Sequence, residues 1–109
     1  MAEVTFEEFS KLELKVGTII SAESVPGADK LYKLVVDTGS EQRTLVAGVA
    51  KQYSAEELIG RQIAVVANLA PRTLRGIVSQ GMLLAAEGEA GGISILSPDK
   101  LVSNGAKVR

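Results

Sequence analysis

The chain has 109 residues, 46% of them hydrophobic, a formal charge of −1, and neither cysteine nor histidine. That length suits one compact domain covering residues 1–109, and the two missing residue types exclude disulfides, thiolate nucleophiles, the usual zinc ligands and the usual proton shuttle near neutral pH, so no catalytic residue, metal or cofactor is expected. The opening stretch MAEVTFEEFSKLELK mixes acidic with apolar positions; it reads as neither a secretory signal nor a membrane span, and a cytoplasmic protein is the plain expectation.

In chain order, Thr5 and Glu8 have capping-box spacing and Phe6 and Phe9 share a face, which predicts a short amphipathic helix whose aromatic face lids a core. Leu12, Leu14 and Val16 then alternate with charged residues, and apolar positions resume at Ile19 with the opposite parity. A bulge at Gly17 or Thr18 would produce that switch, so a long, bent first strand is predicted. VPGADK breaks it at Pro26 and Gly27; LYKLVVD reads as a second strand ending in a Thr38-Gly39-Ser40 turn, and QRTLVAGVA as a third. Ser54 and Glu57 repeat the capping-box spacing, with Gly60 as the stop of a second short helix. RQIAVVANL is strand four. After a loop from Pro71 to Gly76, SQGMLLAAE is strand five, and GEAGG turns the chain into ISIL. Ser97 and Pro98 stand as cap and first position of a helix over PDKLV, and Asn104-Gly105 makes a turn before the terminal AKVR.

Three strands, a helix and two more strands, with a bent first strand able to serve both sides of a closed sheet, is the order of an OB-fold barrel: an all-β fold with short helices, an N-terminal lid helix and a C-terminal extension. An SH3-like barrel is the structural rival, but it does not require the helix after strand three. In the OB architecture ligands meet strands two and three and the loops joining strands one to two and four to five. Both loops carry cations here, Lys30 and Lys33 at the end of the first, Arg72 and Arg75 in the second. No Asp or Glu occurs from Leu58 to Ala86, so the middle of the chain is locally basic despite the near-neutral total. Phe6 and Phe9 are assigned to the helix, which leaves Tyr32 and Tyr53 as candidate base stackers. A platform for single strands, where each stack is worth about 1–3 kcal/mol, is therefore poorly supplied. Folded RNA, recognised through phosphates, 2′-hydroxyls and a few splayed bases, asks for cations and small polar groups instead.

The segments ADKLYKL, TLVAGVAKQY, EELIGRQIAVVANLAPRTLRG and SQGMLLA together resemble the tRNA-binding domain found at the C-terminus of many bacterial methionyl-tRNA synthetases, in free-standing tRNA-binding proteins and in endothelial monocyte-activating polypeptide. The resemblance runs nearly end to end. It implies a non-catalytic OB-fold that binds tRNA by shape, commonly as a homodimer, and raises tRNA affinity for a catalytic partner such as the methionyl-tRNA synthetase catalytic domain. Carried over by residue, the RNA-facing positions are Lys30, Lys33, Asn68, Arg72, Arg75, Ser79, Gln80 and Met82. Each has a plainer alternative: Lys30 and Arg75 as solvated charges, Asn68 as a strand-end cap, Met82 as core rather than a flexible floor under a base. Gly76 and Gly81 read as backbone hinges. The chain departs from the family at Val25, where many relatives have histidine, and at Ala70, where lysine is common; the second change removes a phosphate contact and implies weaker binding.

IAVVA and MLLAA are apolar on both faces, more greasy surface than one small barrel hides, and a homodimer would cover it unless the lid helix and the terminal segment do so within one chain. Enzymatic readings fare badly. GIVSQG misses the G-x-S-x-G elbow by one residue and no histidine exists to take a serine proton; GEAGG is flanked by Glu87 and Glu89, which repel phosphate. The alternative from another class is a polypeptide-binding module like the related bacterial secretion chaperone, an OB-fold dimer with an apolar groove.

Overall fold

A computed structural model describes residues 2–109. Its elements are α1 (Phe6–Phe9), β1 (Leu14–Val25), β2 (Ala28–Asp37), β3 (Gln42–Ala47), α2 (Ala55–Leu58), β4 (Gln62–Val66), β5 (Arg72–Leu74), β6 (Ile77–Ser79), β7 (Met82–Leu83), β8 (Ala85–Glu87) and β9 (Ile93–Ile95). The main sheet has the order β3-β2-β1-β4-β7, all neighbours antiparallel. The stretch between β6 and β7 returns to β3 and closes it into a barrel: the Gln80 N–H donates to the Thr44 carbonyl at 2.8 Å, and the Val46 N–H donates to Ser79 Oγ at 3.0 Å. The all-β, OB-like architecture expected from the strand order is the one observed.

β1 serves both sides, as its length requires. Leu14–Thr18 pair with β4, and Thr18–Val25 pair with β2. Val16 and Gly17 are buried in succession, so the parity switch falls at Gly17, where a Cβ would stand 2.6 Å from Val36 Cγ1. The ladder irregularity itself lies further on, at Ile20, between the Ile19↔Val36 and Ser21↔Val35 pairs. Inside the barrel Ile19, Leu34, Val36, Leu45, Leu58, Ile63 and Val65 are fully buried.

The lid is not the helix the sequence nominated. α1 has its capping box at Thr5 and Glu8, yet buries no residue, and Phe6 is 80% exposed. α2, capped by Ser54 and Glu57, drives Leu58 into the core instead. Four residues give α1 a single turn, and its aromatic face stays open to solvent beside the C-terminal segment.

The predicted C-terminal helix is also absent: residues 96–103 are irregular. Leu96 is held by sheet-like bonds from its N–H to the Leu84 carbonyl and from the Ala64 N–H to its own carbonyl. Gln62 then clamps Val102 from both sides, its amide donating to the Val102 carbonyl and accepting from the Val102 N–H. Those bonds outbid a short helix capped by Ser97. The turn at Asn104-Gly105 forms as expected, and Ala106–Val108 add to the edge of β1 that β2 does not reach, through Val16 N–H to Ala106 carbonyl and Val108 N–H to Leu14 carbonyl bonds.

Candidate nucleic-acid interface

The predicted Pro71–Gly76 loop is part of a two-stranded arm, and the predicted fifth strand SQGMLLAAE is divided among the end of β6, β7 and β8, which belong to three different sheets. β5 and β6 pair as Arg72↔Ser79, Thr73↔Val78 and Leu74↔Ile77 around a turn whose central residues, Arg75 and Gly76, have φ of 52° and 80°. Two successive positive φ values define the mirror-type hairpin turn that matches strand twist. Alternation sorts the arm into two faces. Thr73 and Val78 point to solvent, Val78 being 51% exposed; Arg72, Leu74, Ile77 and the buried Ser79 turn toward the barrel.

β3 is the axis of the site. On one flank Lys33 of β2 lies directly opposite Val46, and the Ala50 N–H donates to the Lys30 carbonyl at 3.1 Å. On the other flank Ser79 sits level with Val46, and Arg72 is its cross-strand partner. Following β6 back from Ser79 to its turn runs along β3 toward Ala47 and past it, because the two are antiparallel. The Arg75 turn therefore lies at the end of β3 that Lys30 adjoins. The register thus sets Lys33 and Arg72 on opposite sides of Val46, with Lys30 beside Ala50 and the Arg75 turn further along the Arg72 flank. None of the four takes part in an ion pair among the described residues. The β1–β2 turn that carries Lys30 is tighter than a free loop: Val25 pairs with Ala28 across Pro26-Gly27, and Asp29–Leu31 bulge out before the ladder resumes at Ser24↔Tyr32. Lys51 braces that bulge through an ion pair to Asp29 at 3.1 Å, and its hydrogen bond and charge hold the Asp29 carboxyl below its usual range.

The smaller polar residues nominated from the sequence have other employment. Ser79 accepts from the Val46 N–H and donates to the Gly81 carbonyl at 3.1 Å. The Gln80 carbonyl oxygen Oε1 accepts from the Thr44 N–H at 3.1 Å. Asn68 ties the end of β4 to the segment before β1, accepting from the Glu13 N–H at 2.7 Å and donating to the Lys11 carbonyl at 2.6 Å. All three hold the frame on which the cations stand. Met82 is not core: it is 46% exposed. With Val46, Leu69 and Arg72 it lines a shallow cup of about 50 Å³ between the arm and the barrel. The two tyrosines are not free stackers. Tyr32 is 8% exposed and donates its hydroxyl to the Tyr53 carbonyl, while the Tyr53 hydroxyl accepts from the Ile95 N–H and its ring carries the Arg61 guanidinium at 5.3 Å.

Three contributors escaped the sequence reading. Arg43 donates to the Ala67 and Gln80 carbonyls and pairs with Glu41, joining β3 to both ends of the β4–β7 connection; an arginine at a half-buried position of a strand, two residues after a glutamate, was the available signal. Val46 and Leu69 form the apolar floor between the cations, and only the register reveals it.

The barrel and its cationic arm define a small all-β module of the OB-like class. The chain belongs to the family described as "Putative tRNA binding domain", which matches residues 14–107. It is 56% identical over 110 residues to a methionine–tRNA ligase of Pyrococcus furiosus, an overlap of 100% of this chain with 15% of that protein. The chain thus spans about 15% of the length of that relative. Among solved structures, a MetRS related protein from Pyrococcus horikoshii superposes with a TM-score of 0.94 at 41% identity over 100% of both chains. The chaperone CsaA from Bacillus anthracis gives 0.90 at 34% identity, covering 99% of this chain and 100% of its own.

Proposed function

We propose that this domain binds folded tRNA largely without regard to sequence, through Lys30, Lys33, Arg72 and Arg75, and that it thereby raises the tRNA affinity of an aminoacyl-tRNA synthetase, the methionyl enzyme first, whether fused to it or acting on it as a separate chain. It has no chemistry of its own in this reading. The observation that carries the proposal is the bracket of cations about β3, Lys33 and Arg72 on either side of Val46 and Lys30 beside Ala50, none of them in an ion pair among the described residues, together with the absence of any acid from Leu58 to Ala86. Family membership supports the choice of tRNA over other polyanions. Counterion release gives the test: four phosphate contacts at about 0.7–0.9 each predict a slope of log K on log salt near about −3, an affinity loss of about 60-fold between 50 and 200 mM. Replacing Lys30 and Arg75 together by Ala is expected to shallow the slope by about 1.5 with an unchanged melting point. A flat slope in the parent chain would sink the proposal.

We further propose a homodimer. Phe6 is 80% exposed and Leu12 46%, and together with Phe9 and Val108 they line a cleft of about 330 Å³ between α1 and the C-terminal segment. Apolar exposure on that scale marks an interface. A pair of protomers would present two cationic rims to one tRNA. Sedimentation of the chain against a Phe6→Ser/Leu12→Ser variant at equal concentration tests this, with a monomeric parent as the refuting result. The same apolar cleft and the likeness to the Bacillus anthracis chaperone favour a second reading, capture of unfolded polypeptide. Such binding would hold or strengthen as salt rises, so one titration separates the two.

A further inference from the structure

We infer that the cup between the β5–β6 arm and β3 receives the ring of one nucleotide that has left its stack in the bound tRNA. The inference rests on the RNA-binding reading and names what lies between its cations. The cup is walled by Val46, Leu69 and Met82, with Arg72 the single charged group on its lining. Its spare side-chain hydrogen-bonding capacity is confined to the Arg72 guanidinium, since the Ser79 hydroxyl that reaches it is committed to Val46 and Gly81. A seat whose side chains are apolar apart from one guanidinium, which a neighbouring phosphate also draws, holds a ring chiefly by contact and discriminates weakly between bases. At about 50 Å³ it admits a ring edge, while Leu69 and Met82, 38% and 46% exposed, lie open beside it for the ring's face. Methionine suits that floor because its flexible, polarizable chain adapts to different rings. Lys33 and Arg72 stand on either side, so the phosphates flanking the occupant each meet a counter-charge. Both tyrosines are engaged elsewhere, so on this face no aromatic platform competes for the ring.

The test uses the 109-residue chain, an unmodified tRNA transcript and inorganic polyphosphate, a polyanion without rings. Leu69→Ser/Met82→Ser removes the seat and no charge. It is expected to weaken tRNA about tenfold, the loss of one modest base contact, with the salt slope and polyphosphate affinity unchanged. The unmutated protein supplies a second readout, the Met82 methyl resonance assigned by its loss in Met82→Ala: tRNA should shift it upfield through ring current, and polyphosphate should not. Parent-like tRNA affinity in the double variant, or an identical methyl shift with both ligands, overturns the cup while leaving tRNA binding intact. Failure of the parent chain to bind tRNA at all removes the underlying reading and the cup with it.

Discussion

Ser79 is where a contact role and a framing role give opposite results. Its hydroxyl is 5% exposed, accepts from the Val46 N–H at 3.0 Å and donates to the Gly81 carbonyl at 3.1 Å. Ser79→Ala leaves both backbone groups without that partner at the seam where β6 meets β3. A buried donor or acceptor left unmade costs about 1–3 kcal/mol, and because the carbonyl retains a second lone pair while the N–H has no alternative, a total of about 2 kcal/mol is expected. For a domain of this size each kcal/mol is worth about 4–8 °C, so the melting point should fall by about 8–16 °C. Differential scanning calorimetry at one fixed protein concentration measures it, since any dimer makes the midpoint concentration-dependent. Below the transition tRNA affinity should change by less than about threefold, because the salt-sensitive contacts belong to other residues. The reasoning is refuted by an unmoved melting point with tRNA affinity reduced tenfold, which would mean that the hydroxyl leaves its backbone partners to meet the RNA.

Gly81 lies at φ 138°, and a Cβ there would stand 2.7 Å from the Val66 carbonyl oxygen; Gly81→Ala should cost about 2–3 kcal/mol by urea unfolding, whereas Gly76→Ala, with φ 80° but open space around it, should cost only about 1 kcal/mol. Equal effects at the two sites would contradict the close approach. Asn68→Ala gives up bonds to Lys11 and Glu13, which predicts about 1 kcal/mol of lost stability and faster proteolysis between α1 and β1, with the salt slope of tRNA binding unaltered; a shallower slope would return Asn68 to the RNA face. Glu57 is held below its ordinary value of 4.5 chiefly by the hydrogen bond from the Ser54 N–H, then by the Ser54 hydroxyl. The stabilisation is therefore complete above 4.5 and is lost as pH falls through the lowered folded value. Ser54→Ala should move the Glu57 carboxylate titration, followed by carbon-13 NMR, back toward its ordinary range. No movement would show that the backbone N–H alone sets it.

Much of the fold was legible because its signals are local. Capping boxes at Thr5 and Ser54 and turns at Gly39 and Gly105 depend on a few adjacent residues, and all are present. What escaped was decided by distant partners. Whether Phe6 and Phe9 are buried depends on what the rest of the chain sets beneath them; they lie beside the C-terminal segment, while the helix that reaches the core is α2, through Leu58. Whether PDKLV becomes a helix depends on Gln62, 40 residues before Val102, which binds both of Val102's backbone groups. Arg75 at φ 52° carries no turn signature of its own, so a three-residue strand on each side of it was read as loop.

The interface divides along the same line. A run such as NLAPRTLRGIVSQGM supplies polar groups for two purposes, and composition does not distinguish a donor facing a ligand from a donor closing a barrel. Hydrogen-bond capacity does. Asn68 and Ser79 give theirs, and Gln80 its amide oxygen, to backbone groups contributed from Lys11–Glu13 and from β3, and a group already bonded gains little by exchanging a backbone partner for RNA. Lys30, Lys33, Arg72 and Arg75 enter no ion pair among the described residues; Glu23 faces Lys33 across the β1–β2 ladder and Asp29 adjoins Lys30, so Arg72 and Arg75 carry the charge least offset by a neighbouring acid. Phosphate contact costs them no existing bond. The polar half of the motif thus sets where β3 lies, β3 sets the spacing of the cations, and the two halves should separate cleanly in experiment: substitutions in the first move the melting point, substitutions in the second move the salt slope.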